Sequence, residues 1–196
     1  MCTDPDTQLM LQFKAGDQRA FHHLFDKHKQ RVINYCFRYC GNAAVAEELA
    51  QETFLRVYKA AKRYRPKAQF TTWLYRIATN ACLNEIRKPA HRTPMASLDD
   101  GTAPDPPPGN GRWASGSQPP DALLEESEKN ALVQDAIQRL PEQQRVALLL
   151  RVNEEFSYRE IGLQINRPEG HVKTLIHRGR QQLKKMLGTY FGDDHA

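Results

Sequence analysis

Long apolar runs are missing from this 196-residue chain. No stretch reaches the ~18 consecutive apolar residues of a membrane-spanning helix. The opening residues MCTDPDTQLM lack the basic and apolar segments of a secretory leader, so a cytoplasmic protein is the expectation. Cysteine is sparse: Cys2, Cys36, Cys40 and Cys82 are too few for a disulfide scaffold. No segment alternates apolar and polar residues as a half-buried strand does, which argues against sheet-based folds. There is no glycine-rich phosphate loop, and no nucleophile stands at recognisable spacing from a base and an orienting acid. Asp99 and Asp100 lack partner acids at the spacing of a two-metal nuclease. No catalytic residue, cofactor or small-molecule substrate is therefore expected.

What the chain does have is positive charge, in two concentrations. Its formal net charge is +5, which favours an anionic partner. From Arg167 to Lys185 there are six Lys or Arg against one acid, Glu169. The surrounding stretch, residues 156–187, reads as two short helices with a break at Asn166, Arg167, Pro168 and Glu169. Ser157 stands three residues before Glu160, the spacing of a reciprocal N-terminal cap. Pro168 is placed to open the second helix at its first turn. Val172, Leu175, Ile176, Gly179, Leu183 and Leu187 fall on one side of that helix. Lys173, Thr174, His177, Arg178, Gln181, Lys184 and Lys185 fall on the other. A buried stripe opposite a donor-rich face is what a helix-turn-helix needs to enter a major groove.

The second concentration runs from Arg56 to Lys88, with nine Lys or Arg and a single acid, Glu85. Tyr58, Tyr64, Phe70, Trp73 and Tyr75 are interleaved. Basic groups that track a phosphate backbone, beside aromatics on which bases stack, suit single-stranded nucleic acid. Trp73, Arg76, Asn80, Asn84 and Arg87 recur at helical spacing on one face, after a loop Arg65–Gln69 able to close over an unstacked base. Aromatics in helices are also ordinary core residues, and Trp73 fits both readings.

Between Pro89 and Pro120 the pattern breaks, with Pro94, Pro104, Pro106, Pro107, Pro108 and Pro119 among glycines. This reads as a flexible linker holding one oddity, Trp113. The expected architecture is all-α: two small helical domains, residues 1–90 and 121–196, joined by a linker at 91–120. In the first, a helix near Thr7–Lys14 precedes one capped by Asp17 and ended by Gly41. Further helices are expected over Ala43–Tyr64 and over Thr71–Lys88, with Thr71 as N-cap. In the second, Asp121 caps a helix to Arg139, and Pro141 opens another to Val152. Cys36 and Cys40 share a face with His28, a set that suits zinc in principle but reads more simply as buried thiols.

A single-strand-competent patch, a linker and a duplex-reading helix-turn-helix describe a protein that grips one DNA at two places and opens it at one. The chain resembles the extracytoplasmic-function class of bacterial sigma factors. AEELAQETFLRVYKA (Ala46–Ala60) and FTTWLYRIATNACLNEIRK (Phe70–Lys88) are similar to their region 2. LPEQQRVALLLRVNEEFSYREIG (Leu140–Gly162) and GHVKTLIHRGRQQLKK (Gly170–Lys185) are similar to their region 4. The absence of segments before region 2 and between regions 2 and 4 fits this class of small factors.

The resemblance implies binding to core RNA polymerase, at its clamp helices and flap, and to promoter DNA, both duplex and melted non-template strand. It also implies control by an anti-sigma factor. By position, Asn80 would contact a flipped −10 base, helped by the loop that carries Arg65 and Lys67. Lys62, Arg63, Arg76 and Arg87 would hold the backbone, and Trp73 would wedge the duplex edge or support the pocket. Arg167, His171, Lys173, Thr174, His177 and Arg178 would read the −35 element. Glu47, Glu48, Gln51, Glu52 and Arg56 would face the polymerase clamp. The chain departs from the family pattern at His171 (usually Thr), Leu175 (commonly Arg), Gly162 and Gly179 (usually Ala) and Asn84 (usually Asp). Alternatives remain at this point: a dimeric helix-turn-helix regulator, a nucleic-acid enzyme, or a mimic that sequesters an anti-sigma factor.

Overall fold

A computed structural model describes residues 4–87, 120–153 and 156–191. Among these every regular element is helical. The chain divides into two compact units, with the boundary after Pro108. Cys2, Asp99, Asp100, Trp113 and the linker expected over 91–120 lie outside the described residues, except for Pro120, which begins a helix.

The first unit begins with α1 (Pro5–Lys14), capped by Asp4 with Pro5 in its first turn. α2 (Gln18–Cys40) is capped by Asp17 and ends at Gly41, whose φ of 76° is left-handed. α3 (Ala43–Ala60) is capped by Asn42. It tightens into a 3-10 turn over Ala61–Arg63, so the helix expected to Tyr64 does not persist as α-helix. α4 (Phe70–Ile86) has Gln69 at its N-cap position, without a side-chain cap. Thr71, expected as the cap, lies inside the first turn instead. The Phe70 N–H donates to the Asp4 carboxylate, 66 residues away, at 2.9 Å. A tertiary contact has replaced the local cap.

The core of this unit comes from the inward sides of three helices: Leu24, Val32 and Tyr35 of α2, Leu49, Phe54 and Val57 of α3, Phe70, Leu74 and Tyr75 of α4. Each fully buried large apolar side chain contributes about 1.5–3 kcal/mol. Tyr35 and Tyr75 meet edge to face at 5.3 Å. The Tyr35 hydroxyl pairs with Thr79 Oγ1 at 2.8 Å, and burial pushes its phenol well above the ordinary value. Asp6 is buried between Lys27 Nζ at 2.6 Å and His28 Nε2 at 2.9 Å, fastening α1 to α2.

The second unit comprises α5 (Pro120–Gln138), α6 (Glu142–Asn153), α7 (Tyr158–Ile165) and α8 (Glu169–Phe191). Pro141 precedes α6 rather than opening it, and its carbonyl accepts the Arg145 N–H at 3.0 Å. The buried Arg145 guanidinium donates to the Gln138 side chain and carbonyl and to the Leu140 carbonyl, closing the α5–α6 turn. Leu140, Ala147, Leu150, Ile161, Val172 and Ile176 form the core.

Candidate nucleic-acid interface

α7 starts where the expected reciprocal cap is formed. Ser157 Oγ accepts the Glu160 N–H at 3.2 Å, and Glu160 Oε2 accepts the Ser157 N–H at 2.9 Å. Asn166 turns the chain with φ 54°, a left-handed conformation that asparagine tolerates better than most residues. Pro168 sits one residue before α8, and its carbonyl accepts the N–H groups of His171 and Val172 at 2.9 and 3.2 Å. The turn is tight: a Cβ on Gly162 would stand 2.5 Å from the Arg167 carbonyl oxygen.

On α8, Val172, Leu175, Ile176 and Gly179 are buried, while Leu183 and Leu187 are half-buried. Leu175 is a core residue, which accounts for an apolar side chain at that position. His171, Lys173, Thr174, His177 and Arg178 are exposed, as is Arg167 in the turn. At about 100° per residue, Thr174, His177 and Gln181 face directly away from the core. Lys173 flanks that row on one side, and His171 and Arg178 flank it on the other. Lys173 pairs with Glu169 at 3.0 Å and lies over the Tyr158 ring at 5.5 Å. Arg151 lies over the same ring at 5.0 Å. This aromatic support was not anticipated from sequence, because it joins three elements.

In the first unit, Arg76, Asn80 and Asn84 are exposed in a row on α4 that Arg87, its C-cap residue, continues, with Trp73 half-buried at its head. Lys62, Arg63, Arg65 and Lys67 are exposed on the approach to α4. The aromatic part of the expectation needs correction. Tyr64, Phe70 and Tyr75 are buried in the core and present no face to a base. Tyr58 packs on Phe13 and Phe21, at 5.1 and 5.2 Å. Tyr58, 46% exposed, and the half-buried Trp73 remain, the latter held against Tyr64 at 4.8 Å and Phe70 at 6.0 Å.

Glu47, Glu48, Gln51 and Glu52 are exposed along α3, and Arg56 is half-exposed with its guanidinium 2.6 Å from Glu52. Helical spacing puts Leu55, 51% exposed, at the centre of this acidic face. Sequence reading passed over Leu55; the available signal was a leucine out of phase with the buried stripe of Ala46, Leu49, Ala50, Thr53 and Val57.

His28, Cys36, Cys40 and Cys82 have structural partners. The His28 ring is bound to Asp6, and Cys82 and Cys36 place their sulfurs 3.7 Å apart. Burial pushes the Cys40 thiol up to about 11, and its Sγ donates to the Asn42 carbonyl. Among the described residues no three His, Cys, Asp or Glu are grouped to hold a metal ion.

The family descriptions Sigma-70 region 2 and Sigma-70, region 4 match residues 24–92 and 130–183. The ECF RNA polymerase sigma factor SigW of Bacillus subtilis is 39% identical over 180 residues, 90% of this chain and 93% of the relative. This chain belongs to the ECF sigma factors. The RNA polymerase sigma-H factor of Pseudomonas aeruginosa is 35% identical over 185 residues, 94% of each chain. The fold of this sigma factor is shared with CnrH, solved with the cytosolic domain of CnrY, at a TM-score of 0.69 and 20% identity over 95% of this chain and 99% of that one. It is also shared with RpoE of Bartonella quintana, solved with the anti-sigma factor NepR, at 0.64 and 17% identity over 87% and 98%. In this sigma factor α1 precedes the span matched as region 2.

Proposed function

We propose that residues 1–90 bind core RNA polymerase and open the −10 element, that residues 121–196 read the −35 element as duplex, and that residues 91–120 link them. The observation that carries the reading is the exposed row Arg76, Asn80, Asn84 and Arg87 beside Trp73 and the basic loop 65–69. A duplex-only regulator has no need of such a row. Asn80 offers both a donor and an acceptor to the edge of a flipped base. Lys62, Arg63, Arg65, Lys67, Arg76 and Arg87 neutralise phosphates. Unstacking a base costs a few kcal/mol. With three of the five aromatics buried, capture rests on these polar contacts and on Trp73 rather than on a stacking platform.

In the second unit Arg167, His171, Lys173, Thr174, His177 and Arg178 supply the major-groove contacts. On α3 the acids repel DNA and suit a protein partner. Glu47, Glu48, Gln51, Glu52 and Arg56 form a charged surround for Leu55, the arrangement of an apolar anchor inside a polar rim. The partner there is the polymerase clamp, with the flap meeting the second unit. The protein acts in the cytoplasm as an initiation factor rather than an enzyme. An anti-sigma factor restrains it, a reading supported by the two solved relatives of like fold, each bound to another protein.

The test is transcription with purified bacterial core polymerase and a pool of genomic promoter fragments. Initiation at sites sharing two spaced upstream elements, absent with core alone, is the expected result. Core binding without initiation would favour a sequestering mimic, and no core binding would favour a duplex regulator.

A further inference from the structure

The loop 65–69 is fastened at both ends by the same short helix. At its start, the Tyr64 carbonyl accepts a hydrogen bond from Lys14 Nζ, the last residue of α1, at 2.9 Å. At its end, the Phe70 N–H donates to Asp4 Oδ2, the cap of α1, at 2.9 Å. The side chains of these two boundary residues are buried, and both touch Trp73. Within the loop, the Lys67 N–H reaches back to the Arg65 carbonyl at 2.9 Å. The chain from 64 to 70 could extend to about 20 Å if unconstrained. A ten-residue helix is a rod of about 15 Å, and its two ends fix that span. The rod is itself immobilised. Met10 and Phe13 are buried, Asp6 is held by Lys27 and His28, and the His28 ring lies 5.6 Å from Phe70.

We propose that α1 is a brace that presets the base-capture loop, with Asp4 and Lys14 as positioning residues for promoter opening. This rests on the reading of loop 65–69 as the capture element. Asp4 has a double role. Its Oδ1 accepts the Asp6 N–H at 3.3 Å as the cap of α1, while its Oδ2 accepts Thr7 Oγ1 at 2.6 Å as well as Phe70. Burial works to raise this carboxyl, but the hydrogen bonds from Thr7, Phe70 and Asp6 outweigh it and hold it below the ordinary value. The acceptor stays ionised at neutral pH. A loop held in its bound shape before it meets DNA does not spend capture energy on ordering.

The experiment uses the full chain with core polymerase. Its probe is a fork-junction DNA with a single-stranded non-template −10 segment, taken from a promoter recovered in the transcription assay. Asp4→Asn keeps a cap for α1 but leaves no second full acceptor for Phe70; Lys14→Met removes the donor and keeps the stem. Both should bind core like the native factor. Both should open duplex promoter and hold the fork about ten-fold less well, and Lys14→Arg should restore function. Amide exchange should quicken about ten-fold at Lys67 and Phe70 and stay unchanged at 74–86. Unchanged exchange at Lys67 and Phe70 overturns the brace. Normal opening by Asp4→Asn and Lys14→Met, while Arg65→Ala and Lys67→Ala open poorly, overturns the brace and leaves the capture loop standing. If Arg65→Ala with Lys67→Ala opens and binds the fork normally, the capture reading falls and the brace with it.

Discussion

Two glycines in this factor stand where the family usually has alanine, and their surroundings make opposite demands. A Cβ at Gly162 would meet the Arg167 backbone carbonyl at 2.5 Å, where no flexible side chain can yield. Gly162→Ala should destabilise the second unit by about 1–3 kcal/mol through overpacking of the turn. Gly179 faces Gln144 at 3.6–3.8 Å, ordinary contact for a methyl. Gly179→Ala should stabilise by about 0.5–1 kcal/mol, because glycine inside a helix loses more freedom on folding. Chemical denaturation of the two variants checks both signs. His28 gives a pH dependence. Burial is the main influence and holds its imidazole below the ordinary 6.5, against the opposing bond to Asp6. The unfolded chain therefore takes up a proton near 6.5 while the folded one does not. Stability from this residue is full above 6.5 and is lost as pH falls through the lower folded value. Melting temperatures between pH 8 and 5 should fall more steeply for the native factor than for His28→Gln.

At the scale of elements, the proposed function gives three helices three separable tasks. Asn80→Ala on α4 should slow promoter opening by roughly ten-fold or more and leave core binding intact, since one capture contact is lost. Permanganate footprinting beside a core-binding titration separates those effects; a loss of core binding would remove Asn80 from the capture role. Arg178→Ala on α8 should weaken −35 recognition by about 1–3 kcal/mol if a base contact is lost, without altering opening of a pre-melted template. Lys173→Ala is a less simple probe, because Lys173 already pairs with Glu169 and Tyr158. On α3, Leu55→Asp should lower core affinity by about ten-fold or more, whereas the same change at the rim residue Glu47 should alter it little. Competition for core against a second sigma factor measures this.

For the whole molecule, the division after Pro108 has a direct consequence. Each unit encloses its own core, one built on Tyr35, Phe54 and Leu74 and the other on Leu150, Ile161 and Val172. Fragments 1–108 and 109–196 should therefore each fold cooperatively, with a melting point close to that of the same unit in the intact chain. A fragment that stays unfolded by circular dichroism would contradict the two-core description.

The helical architecture, the caps at Asp17, Gly41 and Ser157, and the outward side of α8 were legible in the amino-acid pattern alone. Those features depend on residues within one or two turns of each other, and period and capping chemistry are local. Tertiary structure decided the rest. Thr71 lies in the first turn of α4 rather than at its cap, and the first N–H of that helix, at Phe70, is bonded to Asp4, 66 residues away. Tyr64, Phe70 and Tyr75 have the same composition as a stacking platform, and only packing shows that the core consumes them. Leu55 at the centre of an acidic face, and a loop held at both ends by α1, are likewise juxtapositions of the folded chain. A local pattern records what a residue can do; burial and long-range hydrogen bonds fix which of those capacities is still open to a partner.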